Sequence, residues 1–279
     1  MDELYVIARR VLLDALEALG PHRDATILVG AQAIYLHTGD AELAVAEYTT
    51  DADLALDPAL LGEIPPLEQA LQTAGFLHMG MTSVGVWKTS RPDQDANAVE
   101  VQVDLLVPSG VSPGAGRRAA RLPGHADLAA RKVVGLEGVL IDQAQMEIGS
   151  LDPDNDPRRI TAKVAGPGAL LVAKLFKISE REGTARANDK DALDVLRILQ
   201  GIELDPLTAS IERMRGDERS RAVVGRATEL LEELFGTRGS TGSVMAARAT
   251  RPLMNEDQVR LSCELLAQEV LAAIGETRG

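Results

Sequence analysis

Apolar residues recur at helical spacing over residues 2–19, where Leu4, Ile7, Val11, Leu12, Ala15, Leu16 and Leu19 line one face until Gly20-Pro21 ends the pattern. A short apolar run, Thr26-Ile27-Leu28-Val29, then reads as a buried strand closed by Gly30 and followed by a helix over about 32–38. Further strands are predicted over 52–56, 84–88 and 99–107, with a helix over 66–74 started by Pro65-Pro66. In Val99-Glu-Val-Gln-Val-Asp-Leu-Leu-Val107 the alternation is strict. Val99, Val101, Val103 and Leu105 share one face, and Glu100, Gln102 and Asp104 share the other.

Ser109–Gly116 is rich in Gly, Pro and Ser and reads as a surface loop. A second β-like stretch covers 132–150 and 159–164, divided by the acidic turn 152–157. Beyond Gly166-Pro167 the texture is helical, over about 168–182, 189–200, 206–215, 218–236 and 255–275, with 236–250 predicted as a flexible loop. The pattern is that of an α+β protein: a mixed sheet with flanking helices over 1–165 and a helical C-terminal region over 166–279 that closes one side of the cleft.

A chain of 279 residues is long enough to bury a core without staples. Cys263 is the only cysteine, which excludes a disulfide framework and points to a packing thiol in a cytoplasmic protein. The four histidines lie far apart and show no zinc-ligand spacing. No apolar run approaches the roughly 18 residues of a membrane span. Net charge is −13, which argues against a general nucleic-acid coat and against anionic lipid. The acidity is concentrated: residues 1–110 carry 5 Lys/Arg against 17 Asp/Glu, whereas residues 111–200 carry 14 against 12.

Within the acidic third, Thr49-Thr-Asp-Ala-Asp-Leu-Ala-Leu56 places Asp51 and Asp53 two apart, so on a strand their carboxylates project from one face. Adjacent carboxylates repel, and either a hard divalent cation or open water relieves that cost. Asp104, near the end of its strand, joins them as a third ligand if the two strands are neighbours; otherwise it sits on an ordinary half-exposed strand. Gly30 stands at the strand-to-helix turn ahead of this pair, where a phosphate can approach the backbone and the following helix start attracts anions. In the helical half, Lys174 interrupts the apolar stripe Leu170, Leu171, Val172, Leu175 and Ile178, either to reach a phosphate or to snorkel. Asp191 and Asp194, three apart, share a helix face, and Arg181, Arg186 and Lys190 cluster nearby. Phosphate-loop, dinucleotide and nucleophile-elbow motifs are lacking: Gly114-Ala-Gly116 is followed by Arg-Arg, and aromatic residues are too few for a base-stacking platform.

The order of these features resembles the nucleotidyltransferase fold of the DNA polymerase beta superfamily, and within it the AbiEii/MenT group of bacterial toxins. Gly30-Ala-Gln-Ala33 stands at the glycine motif, Thr50-Asp-Ala-Asp-Leu54 at the Asp-x-Asp motif, and Val103-Asp-Leu105 at the later acid. Leu170-Leu-Val-Ala-Lys-Leu175 and Asn188-Asp-Lys-Asp-Ala-Leu-Asp-Val195 are similar to the group's lysine and aspartate helices. Ala31 departs from the usual Gly-Ser or Gly-Gly, so a hydroxyl that binds triphosphate is missing.

The resemblance implies an enzyme that moves a nucleoside monophosphate from an NTP to an acceptor hydroxyl. Asp51, Asp53 and Asp104 would hold Mg²⁺ or Mn²⁺, with Gly30, Ala31 and Lys174 at the nucleotide phosphates and Asp191 orienting Lys174. It further implies the tRNA 3′ end as acceptor, a toxin role and a cognate antitoxin as partner, with no membrane association. Two alternatives stay open: a small-molecule acceptor, and a degenerate relative that binds nucleotide or protein without catalysis.

Overall fold

The computed structural model describes residues 3–39, 51–93, 95–112 and 118–276. Along the chain run α1 (Glu3–Ala18), β1 (Thr26–Val29), α2 (Gly30–Thr38), β2 (Ala52–Leu56), α3 (Leu67–Thr73), β3 (Leu77–His78), β4 (Val86–Pro92) and β5 (Ala98–Pro108). There follow β6 (Arg131–Val133), β7 (Gln143–Gly149), β8 (Arg159–Ala165), α4 (Pro167–Arg181), α5 (Asp189–Gly201), α6 (Leu204–Gly216), α7 (Arg221–Phe235), α8 (Thr241–Ala249) and α9 (Glu256–Glu276). The described residues divide into two compact units, one drawn from 3–32, 51–133 and 143–165, the other from 33–39, 134–142 and 166–276.

The first unit holds one mixed sheet in the order β3-β4-β5-β2-β1-β8-β7, with β6 pairing onto β5. Its centre alternates direction: β2 is parallel to β5 and antiparallel to β1, and β1 is parallel to β8. The strict alternation of β5 is reproduced in its burial. Val101, Val103 and Leu105 are buried, Glu100 is exposed, and Gln102 and Asp104 are intermediate. Helix α1 packs across β2, β5 and β8 through the face carrying Ile7, Val11, Leu12 and Ala15. Trp87 on β4 fills the core and donates from its indole nitrogen to the Ala129 carbonyl at 3.0 Å, so the one polar atom it buries is satisfied.

The β-like stretch predicted over 132–150 is interrupted by a 3-10 turn, Glu137–Leu140. Gly135, with φ +89°, bends the chain there, and the buried Glu137 carboxylate accepts the Gly135 N–H at 2.9 Å.

In the second unit, α4 starts at Gly166-Pro167, with proline at a first-turn position where its missing N–H costs nothing. The carboxylate of Asp142 accepts from the Ala169 N–H at 3.1 Å and from Arg213 at 2.8 Å, so it satisfies one orphan donor of that helix start. Cys263 is buried in α9, and burial pushes its thiol up to about 12, consistent with packing rather than reactivity. Among the described residues no helix is long and apolar enough to cross a membrane.

The predicted flexible loop over 236–250 is corrected by α8. Gly, Ser and Thr give that stretch the composition of a loop, but Ser243, Met245, Ala246 and Ala247 are buried and α8 packs against α5 and α9. Tertiary packing overrides propensity here. The glycine is part of the packing, because a Cβ at Gly242 would lie 2.6 Å from the Phe235 ring and 2.7 Å from the Leu234 carbonyl.

Gly242→Ala therefore sets a helix-propensity gain of about 1 kcal/mol against an overpacking cost of roughly 1–3 kcal/mol. The expected outcome is a lower melting temperature by differential scanning calorimetry. A higher one would mean that α8 does not sit this close to the end of α7.

Candidate active site

The site is organised by the turn between β1 and α2. Val29, the last residue of β1, pairs with Asp53 on β2. The chain then turns at Gly30, whose φ of +72° is left-handed, and α2 begins. A Cβ at Gly30 would lie 2.2 Å from Asp53 Oδ2, so the Asp53 carboxylate occupies the space that any side chain at position 30 would need. Glycine is required twice, for its dihedral and for its lack of a Cβ. Ala31 follows in the first turn of α2, whose backbone N–H groups lack intrahelical acceptors and form the positive end of the helix.

Asp53 and Asp104 are direct partners in the parallel register of β2 and β5. Asp51 lies two residues before Asp53, exposed, immediately ahead of β2. Asp104 responds to its neighbours: burial first, then the charge of Asp53, raises its carboxyl from an ordinary 3.8 to about 6, with Asp51 adding to the rise and Arg131 opposing it. Arg131 Nη2 donates to Asp104 Oδ2 in a short ion pair. That contact follows from the sheet edge. β4 pairs with β5 as far as Val86 opposite Asp104, the chain turns at Gly85 with φ +74°, and β6 takes over alongside Leu106.

Among the described residues no three acidic, histidine or cysteine side chains already converge as a metal-binding group. The donor set nevertheless suits a hard divalent cation. It is all carboxylate oxygen, two of its members face each other in register, and their crowding leaves a demand for positive charge.

Two residues that the sequence did not single out hold this turn from behind. Gln32, buried in α2, donates through Nε2 to the Asp51 carbonyl at 3.3 Å and accepts through Oε1 from Arg9 at 3.0 Å. Arg9, buried in α1, also donates to the Gly149 carbonyl and the Tyr5 hydroxyl. An arginine inside the apolar stripe of the first helix was the available signal for this network. Arg131 carried none, standing in an unremarkable Arg-Lys pair.

Within the second unit, Lys174 is buried and bridges Asp191 Oδ1 at 2.9 Å and Asp194 Oδ2 at 2.7 Å, rather than snorkelling from an apolar edge. Lys177 and Arg181 both reach Asp191 at 3.1 Å, and Arg197 reaches Asp194 at 2.9 Å with its guanidinium over the Tyr35 ring. Burial opposes the charge on Lys174, but Asp194 and Asp191 outweigh it and hold the ammonium above its usual range. Burial likewise works against the Asp191 carboxylate, yet Lys174, Lys177 and Arg181 bring it down to about 2. Arg186 is exposed, and Lys190 lies in the first turn of α5, its N–H donating to the Asn188 side chain at 3.0 Å.

The structure thus brings Gly30, Ala31, Asp51, Asp53 and Asp104 to the β1–β2–β5 part of the first unit, and Lys174 and Asp191 together in the second. Thr49 and Thr50 of the Asp-x-Asp motif, and the segment Gly114–Gly116, lie outside the described residues.

A family model described as "Nucleotidyltransferase" matches residues 9–200, which takes in every one of these positions. Among curated proteins none matches. Among solved structures, the chain is similar to a crystal structure of an antigenic nucleotidyltransferase-like protein from Paracoccidioides brasiliensis. The identity is 14%, the TM-score 0.41, and the match covers 81% of this chain and 93% of that one.

Three outcomes follow from the geometry. Gly30→Ala is expected to cost roughly 1–3 kcal/mol in urea unfolding, since the new methyl must displace the Asp53 carboxylate from a left-handed backbone. Lys174→Met should cost more, about 3–5 kcal/mol, because it removes the buried cation that Asp191 and Asp194 share. The folded-state pKa of Asp191 is depressed, so its contribution, roughly 2 kcal/mol, is present above about pH 4 and lost as pH falls toward 2. The stability gap between wild type and Asp191→Asn should therefore shrink over that window; a gap constant from pH 5 to 2.5 would contradict the ion-pair assignment.

Proposed function

The chain belongs to the nucleotidyltransferase family matched over residues 9–200, and on that premise we propose that Asp51, Asp53 and Asp104 serve metal-dependent transfer of a nucleoside monophosphate from an NTP to an acceptor hydroxyl. The observation that supports this most directly is the register pairing of Asp53 with Asp104, with Gly30 cleared of a side chain beside Asp53.

In this reading the acceptor oxygen bonds to the α-phosphorus while the bond from that phosphorus to the β-bridging oxygen breaks, and pyrophosphate leaves. Asp51 and Asp53 would hold Mg²⁺ or Mn²⁺, and Asp104 would complete the set and take the hydroxyl proton. When bound, the divalent cation neutralises charge on the phosphoryl oxygens and lowers the pKa of the attacking hydroxyl. The first-turn N–H groups of α2, at Gly30 and Ala31, take the phosphate oxygens; with alanine at 31 the backbone does this without a hydroxyl. Lys174 has no part in the proposed transfer. Its ammonium already bridges Asp191 and Asp194, and we assign that trio to holding α4 against α5.

The motif order that resembles the AbiEii/MenT group supports the tRNA 3′ end as acceptor, a toxin role and a cognate antitoxin. The concentration of 17 acidic residues in the first 110 favours a second reading, a small-molecule acceptor, since tRNA phosphates would be repelled there.

Incubation with each labelled NTP, Mg²⁺ and either total tRNA or a panel of small hydroxyl compounds decides between them by where the label appears. Asp53→Asn should reduce transfer by a factor on the order of 10² or more while circular dichroism stays unchanged. Undiminished transfer in that variant, or no label on any acceptor with the wild-type chain, overturns the proposal; the latter result leaves a non-catalytic binding protein.

A further inference from the structure

Arg131 stands where a second positive charge is wanted. Its backbone needs nothing from its side chain: β6 pairs with β5 at Leu106↔Arg131, the Lys132 N–H donates to the Arg118 carbonyl at 2.8 Å, and Arg131 bridges to Ala119. Gly85 allows this close approach, since a Cβ there would lie 2.7 Å from Arg131 N and 2.6 Å from the Leu105 carbonyl. The side chain is thus released from holding the edge and spends one terminal nitrogen on Asp104 Oδ2. Its Nε is buried and makes no hydrogen bond, so the guanidinium fork is used only in part. The side chain is 31% exposed against 17% for Asp104, so it is the more open partner of the pair. Arginine–carboxylate pairs are frequently bidentate, and this one engages a single terminal nitrogen.

Resting on the metal-site reading above, we propose that Arg131 is the resident counter-cation of Asp104: it neutralises that carboxylate while the divalent cation is away, releases it when the cation binds, and so sets the cation affinity. Two positive charges beside Asp104 repel each other, so a guanidinium that stays on Oδ2 disfavours the cation and one that withdraws favours it. Arg131 is a positioning residue in this role, acting through Asp104.

The test is Mn²⁺ binding, followed by electron paramagnetic resonance on the wild-type chain, Arg131→Met and Asp104→Asn. Arg131→Met should bind Mn²⁺ about tenfold tighter than wild type or better, and should melt at a lower temperature without the ion and recover with it. Mn²⁺ affinity equal to or weaker than wild type, with wild-type binding intact, overturns the inference and leaves the metal site standing. Saturable binding absent from wild type and Arg131→Met alike overturns both. Should Arg131→Met fail to fold, the ¹⁵N signal of the Arg131 side-chain Nε in the wild-type chain decides: a shift on adding Mg²⁺ supports release, and a signal unmoved at saturation overturns it.

Discussion

The first unit is arranged around a like-charge conflict that its own sheet register enforces. β2 and β5 are parallel neighbours, and their pairing sets Asp53 directly beside Asp104. Strands lie roughly 5 Å apart, and two carboxylates at that distance repel by about 3 kcal/mol at an effective dielectric near 20. The rise of Asp104 from 3.8 to about 6 corresponds to a free energy of that same order, with burial supplying the largest share. No sheet built only for stability gains from such a pair. The register cannot slip to relieve it, because a one-residue shift would turn the buried faces of β2 and β5 to solvent.

The second unit handles buried charge in the opposite manner. Asp191 and Asp194 are surrounded by Lys174, Lys177, Arg181 and Arg197, so each carboxylate is compensated within the helices themselves. Desolvation is offset locally and the cluster is closed, as expected of a device that fixes α4 against α5. Around Asp53 and Asp104, by contrast, the cation that reaches the pair among the described residues is Arg131, and it meets only Asp104. One cluster is balanced by what the chain supplies. The other is compensated at Asp104 alone among the described residues.

Much of this was legible in the residues. Alternation in Val99–Val107 placed Asp104 on the open face of a strand whose other side is core, and the Val29-Gly30 boundary announced a turn into a helix. The adjacency of β2 and β5 was not legible, since Asp53 and Asp104 lie 51 residues apart and give no local sign of pairing; only the resemblance of motif order implied it. Long-range partners of single cations were equally hidden. Arg131 is 27 residues from Asp104 and Arg9 is 23 from Gln32. Composition misled at 236–250, because the small residues that suggest a loop are those that let α8 lie flush against the end of α7.

Glycines at 30 and 85 show how closely backbone and charge are linked in this sheet. Each adopts a left-handed φ and each makes room for something else: Gly30 for the Asp53 carboxylate, Gly85 for the backbone of Arg131 beside Leu105. Replacing either with a side chain would move one member of the acid–acid–base row rather than merely loosen a turn. The two glycines flank the row from opposite sides, one on the β1 side of β2 and one on the β4 side of β5. A turn glycine needs only its dihedral; these also need their emptiness, and what fills each gap belongs to the charged row. That coincidence ties the conformational exceptions of the sheet to its electrostatic one, and makes the row a feature the backbone is built to hold.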